Sequence, residues 1–402
     1  MSASLKKIKV HFHVNTLLYG GLEKILITYL RNFDRHKYKV SLSIGRRMYG
    51  LETLITSIPK DVEINYLVKS KFVNFTQNKK NRHLKLSLFE KLLHNLLLKT
   101  YSKYLYKKNL YKVTQNKNVV IDFDFYSEEV NTNCPVISFL HFSLISFLRW
   151  NEDTKSKEYK RIRDKFLKHS NIVLLNHDTL NECINLFPDC KSKFSVIYNP
   201  FDLNTIQSKS NQKIDGLCGV EYIVSVSRLE ESQKDITTLI RAFHELVTTY
   251  RYKGSLVLVG DGSSRAELEN LVEKLNLKDN VFFVGLQDNP YKYIKNAKIF
   301  VLSSKFEGLP SVVIEALILG TPVIASDCPT GAREILRNGE CGILFNVGDH
   351  VALAKIMFDL LSDQNKCNEL IELGKVRAND FDINFALEKL YRLIDNNFVD
   401  RC

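Results

Sequence analysis

Short apolar runs and segments of helical period alternate from residue 8 to the end of the chain. IKVHFHV (8–14), YKVSLSIG (38–45), VEINYLV (62–68), VVIDFDF (119–125), PVISFLHFS (135–143), NIVLLN (171–176) and KFSVIYNPFD (193–202) read as strands. Between them LEKILITYLRNF (22–33), the charged stretch 151–170 and DTLNECINLF (178–187) read as helices. Residues 204–219 are polar and aperiodic, which predicts a linker and places a hinge there. A second alternation opens at EYIVSVSRLEESQKDITTLIRAFHEL (221–246) and continues through SLVLVGDG (255–262) and residues 280–297. In that half Ser264 and Glu267 have the spacing of a capping box. FALEKLYRLIDNNF (385–398) is an amphipathic last helix. Strand–helix alternation of this kind predicts parallel sheets, and 402 residues suit two α/β domains. The boundaries are 1–203 for the first, 204–219 for the linker, 220–384 for the second and 385–402 for the closing helix.

One block, KIFVLSSKFEGLPSVVIEALILGTPVIASD (298–327), carries the most chemistry. Ile299 to Leu302 reads as a buried strand, and Pro310 suits the first turn of the helix that follows. That helix is apolar on every side except at Glu315, whose carboxylate is costly to bury unpartnered, so it is expected to face a crevice. Glu307 stands eight residues earlier, in the loop at the strand's carboxyl end, where open α/β sheets bind ligands. Gly308, Leu309 and Pro310 lead into a helix start whose free N–H groups make a seat for phosphate. Two carboxylates thus bracket an anion site.

Other loops add to it. Gly20 and Gly21 sit between the first strand and helix, where glycine lets backbone N–H groups approach oxygen; a plain tight turn has the same letters. Arg228 and Lys234 follow the first strand of the second half and are expected to project from the sheet's carboxyl edge. His141 lies just past an apolar strand, in the equivalent position of the first half. Asp122 and Asp124 spell D-x-D, but within a strand, so no metal role is assigned to them. Glu334 reads as a surface group.

The net charge of +12 has an address. Residues 69–117 hold twelve lysines and Arg82 against the single acid Glu90, a surplus as large as that of the whole chain. The same stretch is rich in Leu, Tyr and Phe, which fits a helix lying on an anionic membrane. A solvated basic helix pair packed on its own domain has the same composition. No nucleic-acid-binding motif accompanies the charge, and none is expected to bind. No apolar run approaches 18 residues, and the N-terminal residues lack the apolar core of a signal peptide. Eight scattered cysteines without a C-x-x-C pair predict free thiols, a reducing cytoplasmic setting and no structural metal.

The 298–327 block, with Y-G-G-L-E at 19–23, I-Y-N-P-F-D at 197–202 and S-R-L at 227–229, resembles the retaining glycosyltransferases of family 4. The resemblance implies a GT-B fold, in which two Rossmann-like domains face each other across a cleft and the last helix crosses back to the first domain. It implies an acceptor on the N-terminal domain and a nucleotide-sugar, commonly a UDP-sugar, on the C-terminal one. By that likeness Glu307 holds the donor sugar, Glu315 the ribose, and Arg228 and Lys234 the diphosphate. Gly20 and Gly21 close over the diphosphate, Gly285 and Leu286 meet the base, and His141 lies near sugar and acceptor. Ser227 and Asp235 stand where the family has glycine. No cofactor beyond the donor is implied. Lipopolysaccharide, capsule or exopolysaccharide assembly at the inner face of the cytoplasmic membrane is the expected setting. A non-hydrolysing UDP-sugar epimerase of the same fold and a non-catalytic membrane-binding scaffold are the rival readings.

Overall fold

A computed structural model describes residues 7–399, apart from 19, 82–83, 126–129, 131, 142, 146–155 and 215–218. Tyr19, Cys218, Cys402 and the start of the 151–170 helix therefore lie outside the described residues. The first half holds strands β1 (Ile8–Val14), β2 (Tyr38–Arg46), β3 (Glu63–Val68), β4 (Val119–Asp122), β5 (Val136–Leu140), β6 (Asn171–Leu174) and β7 (Phe194–Val196). The second holds β8 (Tyr222–Val226), β9 (Ser255–Val259), β10 (Val281–Gly285), β11 (Ile299–Leu302), β12 (Val323–Ser326) and β13 (Ile343–Phe345). Their orders are β3-β2-β1-β4-β5-β6-β7 and β10-β9-β8-β11-β12-β13. All pairings are parallel. Helices cover both faces, which is why the central strands are continuous apolar runs. Each order reverses beside its first strand, between β1 and β4 and between β8 and β11, and ligand crevices open at the carboxyl ends there.

The first sheet has a polar row across its middle. His11 is hydrogen-bonded to Ser41 and Ser43, at 2.9 Å each. His13 is bonded to Ser43 at 2.7 Å and to the Tyr106 hydroxyl at 2.6 Å. Asp122, fully buried, pairs with Lys165 at 3.2 Å and accepts a bond from Ser138, which is also bonded to His169. These groups are register partners on neighbouring strands, so they line one face. Burial holds His11 well below the usual imidazole range and His13 down to about 4. Asp122 is thereby committed to an internal ion pair.

The chain crosses between domains twice, at one place. Phe201 donates to the Phe381 carbonyl at 2.9 Å and accepts from Ile383 at 3.0 Å. The closing helix, Ile383–Val399, packs on the first domain. Tyr391 stacks on Tyr38 with centroids 4.8 Å apart and accepts the Asp34 N–H. Asp395 takes Lys37 at 2.6 Å and the Tyr38 hydroxyl at 2.9 Å.

Several local expectations change. Leu203–Ser210, inside the stretch read as irregular, is a helix capped by Asp202, which accepts the Thr205 N–H at 2.9 Å. Its buried stripe is only Ile206 and Ser210, too little to give a hydrophobic period. The strand read over 193–202 pairs only over Phe194–Val196. Ser264 makes no capping box; its hydroxyl accepts the Glu231 N–H instead. Pro310 stands one residue before the helix, as its N-cap. Six cysteines are free among the described residues.

Candidate functional site

Three segments meet at the carboxyl edge of the second sheet. After β8 comes the loop with Arg228 and the short helix Glu231–Lys234; after β11 comes the loop to the helix Ser311–Leu319; after β12 comes Cys328–Gly331. Lys234 and Glu307 are in direct contact, Nζ to Oε1 2.5 Å, and both side chains are largely buried. Ser304 donates to the same carboxylate oxygen at 2.6 Å, and Ser303 donates to the Lys234 carbonyl at 2.9 Å. Gln233 ties the loops further: its backbone carbonyl accepts the Lys305 N–H at 2.7 Å and its side-chain oxygen accepts from exposed Arg228 at 3.3 Å.

Backbone geometry shapes the loops around Asp235 and Ser227. Asp235 joins two helices at φ +48°, in the left-handed region, which Asp tolerates better than most side chains. It holds the junction by accepting the Thr238 hydroxyl at 2.8 Å. Ser227 keeps the neighbouring loop close: a Cβ on Gly260 would lie 1.9 Å from its carbonyl oxygen. Gly331, at φ +84°, is required by a similar approach, since its Cβ would meet the Gly308 oxygen at 2.3 Å and Pro310 at 2.8 Å.

Glu315 faces a cavity of about 330 Å³ between the domains, which Gly21, Lys24, Tyr291 and Ser311 also line. Its carboxylate has no hydrogen-bond partner among the described residues. Burial pushes its pKa up to about 7, against a smaller opposing pull from Lys24. Across the cleft, Gly20 N-caps the helix Gly21–Asn32, and the Glu23 carboxylate folds back over it. Gly285 sits at φ +71°, its carbonyl accepting the Gly260 N–H at 2.9 Å, and Leu286 beside it is exposed.

His141 stands on the first sheet's edge, in contact with Phe123 and Phe139 and not with the Lys234–Glu307 pair. Burial lowers its pKa to about 4, so the ring is neutral, and its Nε2 has no partner among the described residues. Glu182 holds the loop that follows, accepting Ser143 Oγ and the Ile145 N–H at 2.7 Å each.

Glu334 is no surface group. It reaches the first domain, accepting the His177 N–H at 2.7 Å, the Asp178 N–H at 3.4 Å and the Tyr198 hydroxyl at 2.6 Å, and it contacts the His177 ring at 2.8 Å. Alongside, the Asn176 amide donates to the Gly308 carbonyl at 2.8 Å, and Asp178 accepts the Gly331 N–H at 3.4 Å. The N-terminus of the helix His177–Leu186 is thus fastened onto the loops that carry Glu307. Asn176 caps that helix by accepting the Thr179 N–H at 2.7 Å; nothing in the local sequence around Glu334 showed that its partner lay in the other domain. Among the described residues no group of three or more His, Cys, Asp and Glu is placed to hold a metal ion.

Residues 209–377 match the family described as Glycosyl transferases group 1. An uncharacterized glycosyltransferase of Methanocaldococcus jannaschii is 31% identical over 57% of this chain and 64% of its own length. An N-acetylgalactosaminyltransferase of Campylobacter jejuni, named for a diphospho-undecaprenol-linked acceptor, is 32% identical over 54% of this chain and 57% of its own. The chain thus spans about three-fifths of the length of these relatives. Among solved structures, Anabaena HepE in complex with UDP superposes with a TM-score of 0.74 at 17% identity, covering 97% of this chain and all of its own. WaaG, a glycosyltransferase involved in lipopolysaccharide biosynthesis, gives 0.69 at 14% identity over 96% of this chain and 99% of its own. At such identities the likeness shows the fold alone, and that fold is GT-B.

Proposed function

We propose that this protein is a retaining glycosyltransferase that moves a sugar from a nucleotide-diphosphate donor, a UDP-sugar first among the candidates, to a lipid-linked or polysaccharide acceptor. The observation that carries the reading is the Lys234–Glu307 contact, 2.5 Å, at the entrance to the helix Ser311–Leu319. A cation, a carboxylate and a helix N-terminus at one sheet edge are what a sugar diphosphate needs. Lys234 and Arg228 balance the charge of the departing diphosphate, with the N–H groups at the head of the helix. Glu307 accepts hydrogen bonds from the sugar hydroxyls, and Glu315 from the ribose. Gly308, Leu309 and Pro310 present backbone to the phosphates; Gly285 and Leu286 meet the base; Gly20 and Gly21 close from the other domain. His141, neutral, donates or accepts a bond at the sugar or the acceptor.

The acceptor oxygen bonds to the anomeric carbon as the carbon–phosphate-oxygen bond breaks. The acceptor's proton passes to the leaving phosphate oxygen on the same face, so no carboxylate need form a covalent intermediate. The basic side chains supply the charge that a metal supplies elsewhere, so we read the reaction as metal-independent. The relatives' names support a lipid-diphosphate acceptor and lipopolysaccharide assembly; capsule or exopolysaccharide assembly, and work at the cytoplasmic face of a membrane, are part of our reading. The names do not favour an epimerase. A thermal-shift panel of UDP-, GDP- and ADP-sugars identifies the donor, and NMR of the transfer product reads the anomeric configuration. Inversion would sink the retaining step; an altered sugar released without acceptor would turn the assignment to epimerase.

A further inference from the structure

The helix Leu88–Leu93, a wide turn at His94–Leu98 and the helix Lys99–Thr114 form a continuous helical run with two different halves. The second half is docked. Ser102, Tyr106, Leu110 and Thr114 are buried; Tyr106 is bonded to His13, Ser102 to Arg46, and Asn109 donates to the Leu67 carbonyl. The first half shows its apolar side to solvent: Leu88 is 84% exposed, Phe89 72%, Leu92 57%, Leu96 66% and Leu97 62%. Phe72 and Leu84, close by in sequence, are also more than half exposed. Lys85, Lys91, Lys99, Lys103, Lys107 and Lys108 are exposed along the same run. Its one acid, Glu90, is occupied by Lys79 at 2.5 Å. Tyr101 and Tyr104, each more than half exposed, add side chains with an apolar body and a polar tip.

We infer that residues 84–108 seat the protein on an anionic bilayer, with Leu88, Phe89, Leu92, Leu96 and Leu97 below the lipid phosphates and the lysines among them. Charge selects this occupant. A second copy on the same face would set one surplus of positive charge against another. Nucleic acid would satisfy the lysines and leave five large apolar side chains in water. An anionic lipid surface covers both. The contact is superficial, since no described helix is long and apolar enough to cross a membrane. The firm docking of Lys99–Thr114 makes the seat rigid with the first sheet, so the cleft is held at a fixed height above the lipid. This rests on, and deepens, the reading of a lipid-linked acceptor.

The test is co-sedimentation of the full chain with phosphatidylcholine vesicles, with and without phosphatidylglycerol. Capture is expected on the anionic vesicles only, weakening as salt rises. The double variant Leu92→Ser/Leu96→Ser is expected to lower the partition by about tenfold or more. Its thermal shift with the nucleotide-sugar should equal that of the parent, showing the fold and the donor site intact. Parent protein left in the supernatant with anionic vesicles, or a double variant captured as well as the parent, would overturn the inference. So would a parent dimer that the double variant makes monomeric in sedimentation velocity. Capture of a protein that transfers no sugar would uphold the surface and overturn the catalytic reading; transfer to a soluble acceptor without capture would do the reverse.

Discussion

The two sheets share one strand order over six strands, the first carrying β7 as a seventh, and differ in where their polar groups lie. In the second, charged side chains collect at the carboxyl edge, where Lys234 meets Glu307, and its strands bury the hydroxyls of Ser225, Ser255, Ser326 and Tyr222. In the first, histidines and an ion pair cross the middle of the sheet, from Ser41 through His11, His13 and Asp122 to Ser138. The same scaffold has thus put its charges to two uses. At an edge the exposed Arg228 stays open to a ligand, while Lys234 and Glu307 are largely buried and hold each other. In the middle the charges are closed to ligands, and folding depends on every partner being present.

Removing one partner of the internal pair should have the largest effect. Lys165→Met leaves the Asp122 carboxylate buried without its counter-charge, and about 3–5 kcal/mol of stability is expected to go, measured by urea unfolding. A loss under 1 kcal/mol would mean that water reaches this row and that the contrast between the sheets is false. Next is the edge pair: Lys234→Ala should cut turnover roughly a hundredfold to a thousandfold, with a smaller loss of stability than Lys165→Met because Ser304 still donates to the Glu307 carboxylate. A variant that unfolds instead would show that the edge pair serves the fold.

Acid should separate the domains. His13 has its pKa lowered to about 4, below the ordinary value near 6.5, so the unfolded chain takes a proton before the folded one does. Its contribution is complete above pH ~6.5 and is lost as pH falls toward ~4, by roughly 3 kcal/mol, with His11 acting in the same direction. Hydrogen exchange at pH 5 should therefore loosen the first sheet ahead of the second; equal loosening would remove this account. The smallest change is at Glu315, whose pKa is raised to about 7. Between pH ~4.3 and 7 the unfolded chain releases this proton and the folded one keeps it, so stability falls as pH rises. Glu315→Gln should then stabilise by about 1–2 kcal/mol at pH 8 and by nothing at pH 4, while weakening nucleotide-sugar binding. No stabilisation at pH 8 would mean the carboxylate already has a partner.

The strands and the edge residues were legible because both follow from local rules. An apolar run needs no partner to be recognised, and a carboxylate in an apolar helix, as at Glu315, declares itself. The polar row was not legible, since His11 and His13 acquire meaning only when β2 and the Lys99–Thr114 helix are laid beside β1. Glu334 escaped for the same reason: its contacts are 136 and 157 residues away in sequence. The helix Leu203–Ser210 was missed because two buried positions do not make a period.

The Glu334 carboxylate occupies the amino end of the helix His177–Leu186, where its negative charge is favoured by the dipole. Two halves of the molecule are thereby joined by an attraction that dissolved ions weaken and that burying more oil would not replace. Potassium chloride alone should then loosen the grip between the lobes, and the gap between them should open more often in brine than in dilute buffer.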